Sequence, residues 1–168
     1  EPHRGTFVNG PQSIEIHIKE LFSLRSVLEG LAARILASDP NTDFAVLQAF
    51  VDEIKQAAEE RDHERIHSRD MEFHRKVVEL SRHSLLNATY ATIYTQMWGL
   101  SESILPTIAN RLELIIKVHQ KLVHVLRSGD PEAAEALMRR HIVETGDLLL
   151  LNVQDHRAKG GEQQKSTT

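Results

Sequence analysis

The chain has 168 residues, of which 40% are hydrophobic and 26% are charged, and its formal net charge at pH 7 is −4. This length suits one domain with a real hydrophobic core, and the composition excludes disorder except at the two ends. Because the chain contains no cysteine, disulfides, thiolate nucleophiles and cysteine-ligated zinc sites are excluded. Any metal must therefore be held by nitrogen and oxygen ligands.

The charge pattern also limits the partners of the chain. No helix shows a basic face, so we expect any nucleic-acid function to lie outside these residues. The longest apolar runs, such as Leu148 to Leu151, are too short to cross a membrane, and the N-terminus lacks the order of a signal peptide. We expect a cytoplasmic protein with no membrane partner.

Apolar residues recur at three- and four-residue spacing along most of the chain, which predicts helices and almost no strand. The first helix is predicted from Ser13 to about Ala37, because Pro40 disfavours helix just before it. The next four are predicted in order as follows: a second capped by Asn41 or Thr42 and running through Phe44, Leu47, Val51 and Ile54, a third over Ile66 to Leu80, a fourth over Leu85 to Leu105, and a fifth over about Ile108 to Arg127.

The last helix has the clearest start. In the run from Ser128 to Pro131, glycine ends one helix, Asp130 caps the next and proline occupies its first turn. We predict the sixth helix from Pro131 to about Val153. The expected fold is all-α, an antiparallel bundle of about six helices spanning residues 12–157, followed by a disordered, glycine-rich tail over 158–168.

Four polar side chains, Asp70, His74, His119 and His141, fall on helix faces that are otherwise apolar. Burying an unpaired carboxylate is costly, and a divalent cation held by three imidazoles and one carboxylate removes that cost. We expect zinc, with nickel, cobalt, iron and manganese left open. The alternative is hydrogen-bonded core histidines and an ordinary Asp70–His74 pair on adjacent helical turns. His63 and His67, by contrast, are interpreted as part of a solvated face.

Three stretches together resemble a known family: LRSVLEGLAARILA (Leu24 to Ala37), DMEFH (Asp70 to His74) and HQKLVHVLRSGDPEAAEALMRRH (His119 to His141). They are similar to the C-terminal effector-binding and oligomerisation domain of FadR-type regulators in the GntR family, called the FCD domain. The resemblance implies a homodimer and the same four metal ligands. Six helices resemble the VanR-like branch of that family.

The first residues carry a further resemblance. The run Arg4 to Val8 (RGTFV) is similar to the end of the winged helix-turn-helix domain that precedes this domain in the family. We therefore interpret residues 1–11 as a remnant of the DNA-binding wing and linker. DNA contact is then expected only through that missing N-terminal domain.

Arg25 indicates what kind of effector the domain binds. It interrupts the apolar face of the first helix, so its guanidinium extends to solvent, pairs with Glu29 one turn later, or faces a cavity. A metal with four protein ligands can keep a coordination position open, and a nearby arginine favours a carboxylate that also binds metal. Small hydroxy, keto or dicarboxylic acids fit, and the family resemblance points the same way.

These observations predict a metabolite-sensing domain of a dimeric transcription regulator and not an enzyme. The effector would act by favouring one arrangement of the dimer, and so of its DNA-binding domains. Two alternatives stay open. A small metal-dependent hydrolase would need a free base beside the metal, and no inward glutamate is evident in the third, fifth or sixth helix. A metal-stabilised structural dimerisation module would have a four-coordinate metal and no accessible cavity.

Overall fold

The computed structural model describes residues 11–100 and 111–165, with side chains over 14–100 and 111–155. This part of the chain forms six helices and no strand, which confirms the predicted all-α class. The helices are α1 (Pro11–Ser38), α2 (Ala45–Glu59), α3 (His63–Leu80), α4 (Ser84–Trp98), α5 (Leu112–Arg127) and α6 (Pro131–Lys165). Within the described ranges, no helix combines the length and apolarity that crossing a bilayer requires.

Helices α1 and α6 form the most extensive packing interface among the described helices. Near one end of this pair, Gln154 donates to Glu15 across 3.1 Å, and near the other, Arg34 donates to Glu132 across 2.6 Å. Residue numbers rise along α1 as they fall along α6, so the two helices are antiparallel, as predicted.

Glycine allows α1 and α6 to approach closely. A Cβ added at Gly146 would lie 2.8 Å from the Phe22 ring, and one added at Gly30 would lie 2.6 Å from the Arg139 side chain. The Phe22 ring is buried and cannot move aside, so Gly146 sets the spacing of the central helix pair, whereas the half-exposed Arg139 side chain is flexible. Helices α3, α4 and α5 pack around α1, and α2 covers α3 and α5.

Several predicted helix ends differ from the structure. Helix α2 begins at Ala45, whose N–H donates to the Asp43 side chain at 2.8 Å, so neither Asn41 nor Thr42 caps it. Asn41 instead donates its own N–H to Asp39 in the turn after α1. The predicted capping residues were therefore wrong, because this turn uses its aspartates.

The predicted start of the sixth helix is confirmed, but its end is not. Asp130 accepts a hydrogen bond from the Ala133 N–H at 2.9 Å, and Gly129 has a φ of 74° that ends α5. Helix α6 continues to Lys165, past the predicted end near Val153, so the tail predicted as disordered is helical up to that residue. Alanine, lysine, glutamate and glutamine in this stretch are strong helix formers and outweigh its two glycines.

The boundary between the fourth and fifth predicted helices falls largely on residues 101–110, which lie outside the described residues. Helix α4 is described as far as Trp98, and α5 begins at Leu112 rather than near Ile108. The N-terminal wing remnant predicted over residues 1–11 also lies almost wholly outside the described residues.

Candidate metal and effector site

The structure brings together the four side chains predicted from the sequence. The Nε2 atom of His74 on α3 lies 3.3 Å from His119 Nε2 on α5 and 3.3 Å from His141 Nε2 on α6. Asp70, one turn before His74, places Oδ1 3.1 Å from His119 Nε2 and 3.9 Å from His74 Nε2. Ligand atoms of the three histidines lie within 4.8 Å of one another, close enough to hold one ion.

Hydrogen bonds on the far side of two rings fix which nitrogen carries the proton. His74 Nδ1 lies 2.5 Å from the Glu29 carboxylate, and His119 Nδ1 lies 2.8 Å from the Ile115 carbonyl oxygen. Both oxygens can only accept, so both Nδ1 atoms donate. In the neutral rings, each Nε2 therefore presents a lone pair to the centre of the cluster.

These lone pairs give the centre of the cluster the electron-pair donors that a cation site needs. Two acceptor nitrogens 3.3 Å apart cannot hydrogen-bond each other, and the Asp70 oxygen beside His119 adds a third acceptor. Nitrogen ligands about 2.0–2.1 Å from a tetrahedral zinc ion lie about 3.3 Å from each other. The separations therefore fit residues that share a divalent ion, and the donor set fits a transition metal.

The electrostatic environment favours the ligating forms of the remaining two residues. Burial, followed by the neighbouring His119 and His74, lowers the pKa of His141 well below its ordinary value and keeps this ring neutral. Burial raises the pKa of Asp70, but the neighbouring His119, followed by His74 and His141, outweighs burial and lowers that pKa far below its ordinary range. A metal ion at the centre of the cluster would act in the same direction.

Glu29 is a candidate site residue that the sequence indicated only as a partner for Arg25. Its carboxylate is fully buried and accepts hydrogen bonds from Arg25 Nε at 2.7 Å, Tyr90 Oη at 2.8 Å and His74 Nδ1. It thus connects α1, α3 and α4 behind the histidine cluster. A signal was available, because Glu29 falls seven residues from both Phe22 and Leu36 on the buried face of α1.

Charges around Glu29 keep it ionised. Burial alone raises the pKa of Glu29, but attraction to Arg25 and His74 outweighs burial and lowers that pKa from 4.5 to about 2. Burial also raises the pKa of Tyr90 well above 10, with Glu29 adding to the effect, so the phenol remains a donor. An ionised carboxylate behind an imidazole holds the ring in one orientation and raises its basicity toward a metal.

A cavity of about 110 Å³ opens beside the cluster, and its wall includes Arg25, Asp70, His74 and His141. Arg25 is 2% exposed and lies over the Phe22 ring, with 5.1 Å between the guanidinium carbon and the ring centre. Two readings left open by the sequence thus coexist, since Arg25 pairs with Glu29 and also lines the cavity. Their hydrogen bond rules out a guanidinium extended into solvent.

Two further residues differ from the sequence interpretation. His67 was placed on a solvated face, yet it is 3% exposed, packs edge-on against Trp98 and lines the cavity. It lies one turn before Asp70 and Met71, so the apolar face of α3 extends further toward its N-terminus than the charged sequence indicated. Glu144, one turn after His141, also lines the cavity although its side chain is exposed.

Comparison with known proteins places this site in a recognised domain. A family model described as the FCD domain matches residues 20–144, which include all four predicted ligands and Arg25. The chain is also 28% identical over 144 residues to the probable D-xylose utilization operon transcriptional repressor of Paenarthrobacter nicotinovorans. That match covers 83% of this chain and 60% of the relative.

Proposed function

The chain belongs to the FCD domain family, the regulatory domain of GntR-type transcription regulators, and on this premise we propose that it senses a small carboxylate through a bound divalent metal. The metal would be held by Asp70, His74, His119 and His141, and zinc is the ion we expect. One observation carries the proposal: two imidazole lone pairs, fixed by Glu29 and by the Ile115 carbonyl, converge on the same point.

The cavity supports an effector that reaches the metal site. Three of the four proposed ligands lie on its wall, and so does Arg25. A bound ion would supply an electrophilic coordination position for a carboxylate oxygen. Among the described residues, Arg25 donates hydrogen bonds to Glu29 and Met97, which use two of its five N–H groups. The planar guanidinium can also donate to both oxygens of a carboxylate.

Charge balance favours an anionic effector. With neutral imidazoles, the charges of the site are the buried Arg25 against the buried Glu29 and Asp70, whose side chain is 25% exposed, so these three residues contribute one net negative charge. A divalent ion would reverse this to one net positive charge, which a monocarboxylate cancels. An uncompensated charge is costly beside the buried Arg25 and Glu29, so metal and acid should bind cooperatively.

Regulation follows from which helices the effector would join. Arg25 lies on α1, the two α3 ligands on a second helix and His141 on α6. An acid bound among them favours whichever packing of these helices it contacts best, and only such a difference in affinity can transmit a signal. We propose that a homodimer of this domain passes that change to a winged helix domain that contacts DNA in the cytoplasm.

The enzyme alternative receives less support. A hydrolase needs a free base beside the metal, and Glu29 already accepts three hydrogen bonds on the side of His74 remote from the cluster. Glu144 is the carboxylate that a hydrolase would use, but its side chain is exposed. The purely structural module predicted no accessible cavity, whereas one borders three proposed ligands.

The test is a thermal-shift titration of the purified chain with acetate, lactate, pyruvate and D-xylose, before and after chelation and after zinc reloading. D-xylose is included because the relative is named for its utilisation. We expect stoichiometric metal and a Tm that rises with at least one acid, and we expect chelation to abolish that rise. An acid response that survives chelation, or a response to D-xylose alone, would contradict the proposal.

A matched variant identifies the carboxylate as the recognised group. Arg25→Lys keeps the buried charge but loses the planar fork, whereas Arg34→Lys makes the same change at a half-exposed position of α1. We expect the acid response to fall only in Arg25→Lys. Equal responses in the two variants would remove Arg25 from the effector site.

A further inference from the structure

The cavity has two chemically different parts. One part holds the proposed metal and effector residues Arg25, Asp70, His74 and His141, and four further polar residues line the cavity, namely His67, Arg111, Glu144 and Thr145. Most of the remaining wall is hydrocarbon and thioether from α1, α3, α4, α5 and α6; it includes Phe22, Met71, Met97, Ile115, Val118, Ile142 and Leu149. We propose that the effector is a short monocarboxylate with an apolar tail, rather than a polyhydroxy or dicarboxylic acid. This inference rests on the proposed function.

The apolar wall determines what the tail can be. A hydroxyl group buried against side chains of this kind loses its water and finds few partners. Of the apolar wall residues, Leu149 is 1% exposed and Met97 2%, so water has little access to the wall at these two side chains. A methyl or methylene group at the same place gains from burial. The wall therefore selects against hydroxyl groups on the tail.

Size limits the tail to a few carbon atoms. The cavity holds about 110 Å³, and an apolar cavity of about 150 Å³ accommodates benzene, with its six carbon atoms. A ligand of about six or seven non-hydrogen atoms therefore fits, because the space also opens to solvent. Four- and five-carbon acids have this size.

Charge limits the number of carboxylates to one. The divalent ion and the buried side chains leave a single positive charge, which one carboxylate neutralises. A second carboxylate at the far end of a short chain would lie against the apolar wall, where burying a charge is costly. Arg111 and Glu144 also line the cavity, and their opposite charges add no net charge to its wall. A dicarboxylate should therefore bind less tightly than a monocarboxylate of similar size.

The experiment compares acids of matched size by calorimetry on the zinc-loaded chain. Pentanoate and 4-hydroxybutanoate each have seven non-hydrogen atoms and differ by one terminal methyl or hydroxyl group, and succinate adds a second carboxylate. We expect pentanoate to bind about tenfold or more tightly than 4-hydroxybutanoate and than succinate. Equal affinities, or tighter binding of either polar acid, would overturn the inference.

A pair of variants tests the wall itself. Val118→Thr places a hydroxyl of nearly the same size in the wall, and Val143→Thr makes the same change at a position of α6 that is 47% exposed. We expect the ratio of pentanoate to 4-hydroxybutanoate affinity to fall in Val118→Thr and to stay at its wild-type value in Val143→Thr. An unchanged ratio in Val118→Thr would contradict contact between the tail and this wall.

Acetate separates failure of this inference from failure of the proposed function. If acetate or lactate binds the zinc-loaded chain but pentanoate gains nothing from its tail, the sensor proposal stands and the apolar class is wrong. If no carboxylate binds while zinc remains stoichiometric, the carboxylate-sensing function and the ligand class both fail.

Discussion

Two of the arginine–glutamate pairs that helix α1 makes are alike in distance and differ in surroundings. Arg25 and Glu29 are 2.7 Å apart with side chains 3% and 0% exposed, whereas Arg34 and Glu132 are 2.6 Å apart with side chains 43% and 71% exposed. Glu29 also accepts a hydrogen bond from His74 in the proposed metal site. Arg34 and Glu132 lie near one end of the α1–α6 pair and contact none of the proposed ligands in the hydrogen bonds described.

The difference shows that distance alone does not identify a functional ion pair. Water and salt screen the exposed pair, and such pairs contribute little to stability. The buried pair is stable only because each charge has several partners, and removing one partner leaves a charge that water cannot reach. We therefore expect the two pairs to respond very differently to equivalent substitutions.

The largest expected effect comes from the proposed metal site itself. His119→Ala removes one ligand, so metal affinity should fall more than a hundredfold, beyond the 10–100-fold typical for residues that only orient a ligand. Acid binding should disappear with the metal. The measurement is elemental analysis after dialysis, followed by zinc titration.

His124→Ala is the control for this prediction, because His124 is an exposed residue on the same helix. Unchanged metal content in His119→Ala would contradict the role of His119 as a metal ligand. An equal reduction in both variants would contradict it as well.

Glu29→Gln should have the next largest effect and tests the two ion pairs directly. The neutral amide still reaches His74 but leaves Arg25 without a counter-ion, so we expect zinc affinity to fall 10–100-fold and stability to drop by about 3 kcal/mol. Glu132→Gln makes the same change in the exposed pair and should alter neither quantity measurably. Zinc titration and urea unfolding give the two values, and similar losses in both variants would refute the contrast.

Arg25→Lys should have a smaller effect, confined to the acid. Lysine keeps the charge beside Glu29, so metal should stay stoichiometric while acid affinity falls roughly tenfold with loss of the guanidinium fork. Arg25→Ala would be a poorer test, because it also strands the Glu29 carboxylate that holds His74. Calorimetry with acetate measures the change in acid affinity. Metal loss in Arg25→Lys would contradict the assignment of Arg25 to acid binding alone.

The smallest predicted effect is a dependence of stability on pH. Folding lowers the pKa of Glu29 from 4.5 to about 2, so its ionisation stabilises the fold at neutral pH, and this contribution is lost as the pH falls below about 4.5. In chelator, the stability difference between wild type and Glu29→Gln should shrink by about 1 kcal/mol between pH 7 and pH 4. A constant or growing difference would show that Glu29 ionisation does not contribute in this way.

The sequence predicted the helices and the clustering of the site more successfully than the details around it. Apolar spacing located the six helices of the described residues and put Asp70, His74, His119 and His141 on inward faces, because helical periodicity depends only on local order. It missed the hydrogen bond between Glu29 and His74, whose partners are 45 residues apart. Burial of His67 was missed for a similar reason, since Trp98 on another helix covers it.

The ends of helices were also hard to predict. Asn41 and Thr42 are both suitable capping residues, yet the N-cap of α2 is Phe44 and the Asp43 side chain accepts from the Ala45 N–H. That outcome depends on how the turn after Pro40 folds back. The shape of the cavity could not be predicted, because it depends on how five helices pack. The apolar face of one helix identifies the residues that point inward, but it does not show which of them line a cavity.

The most direct test of the metal site is anomalous diffraction at the zinc edge from a crystal of the zinc-loaded chain. We predict one strong peak among the Nε2 atoms of His74, His119 and His141, about 2.0–2.2 Å from each and from an Asp70 oxygen. A fully zinc-loaded crystal with no peak at this position, or with its peak at other residues, would contradict the proposed site. The four side chains would then be ordinary core partners.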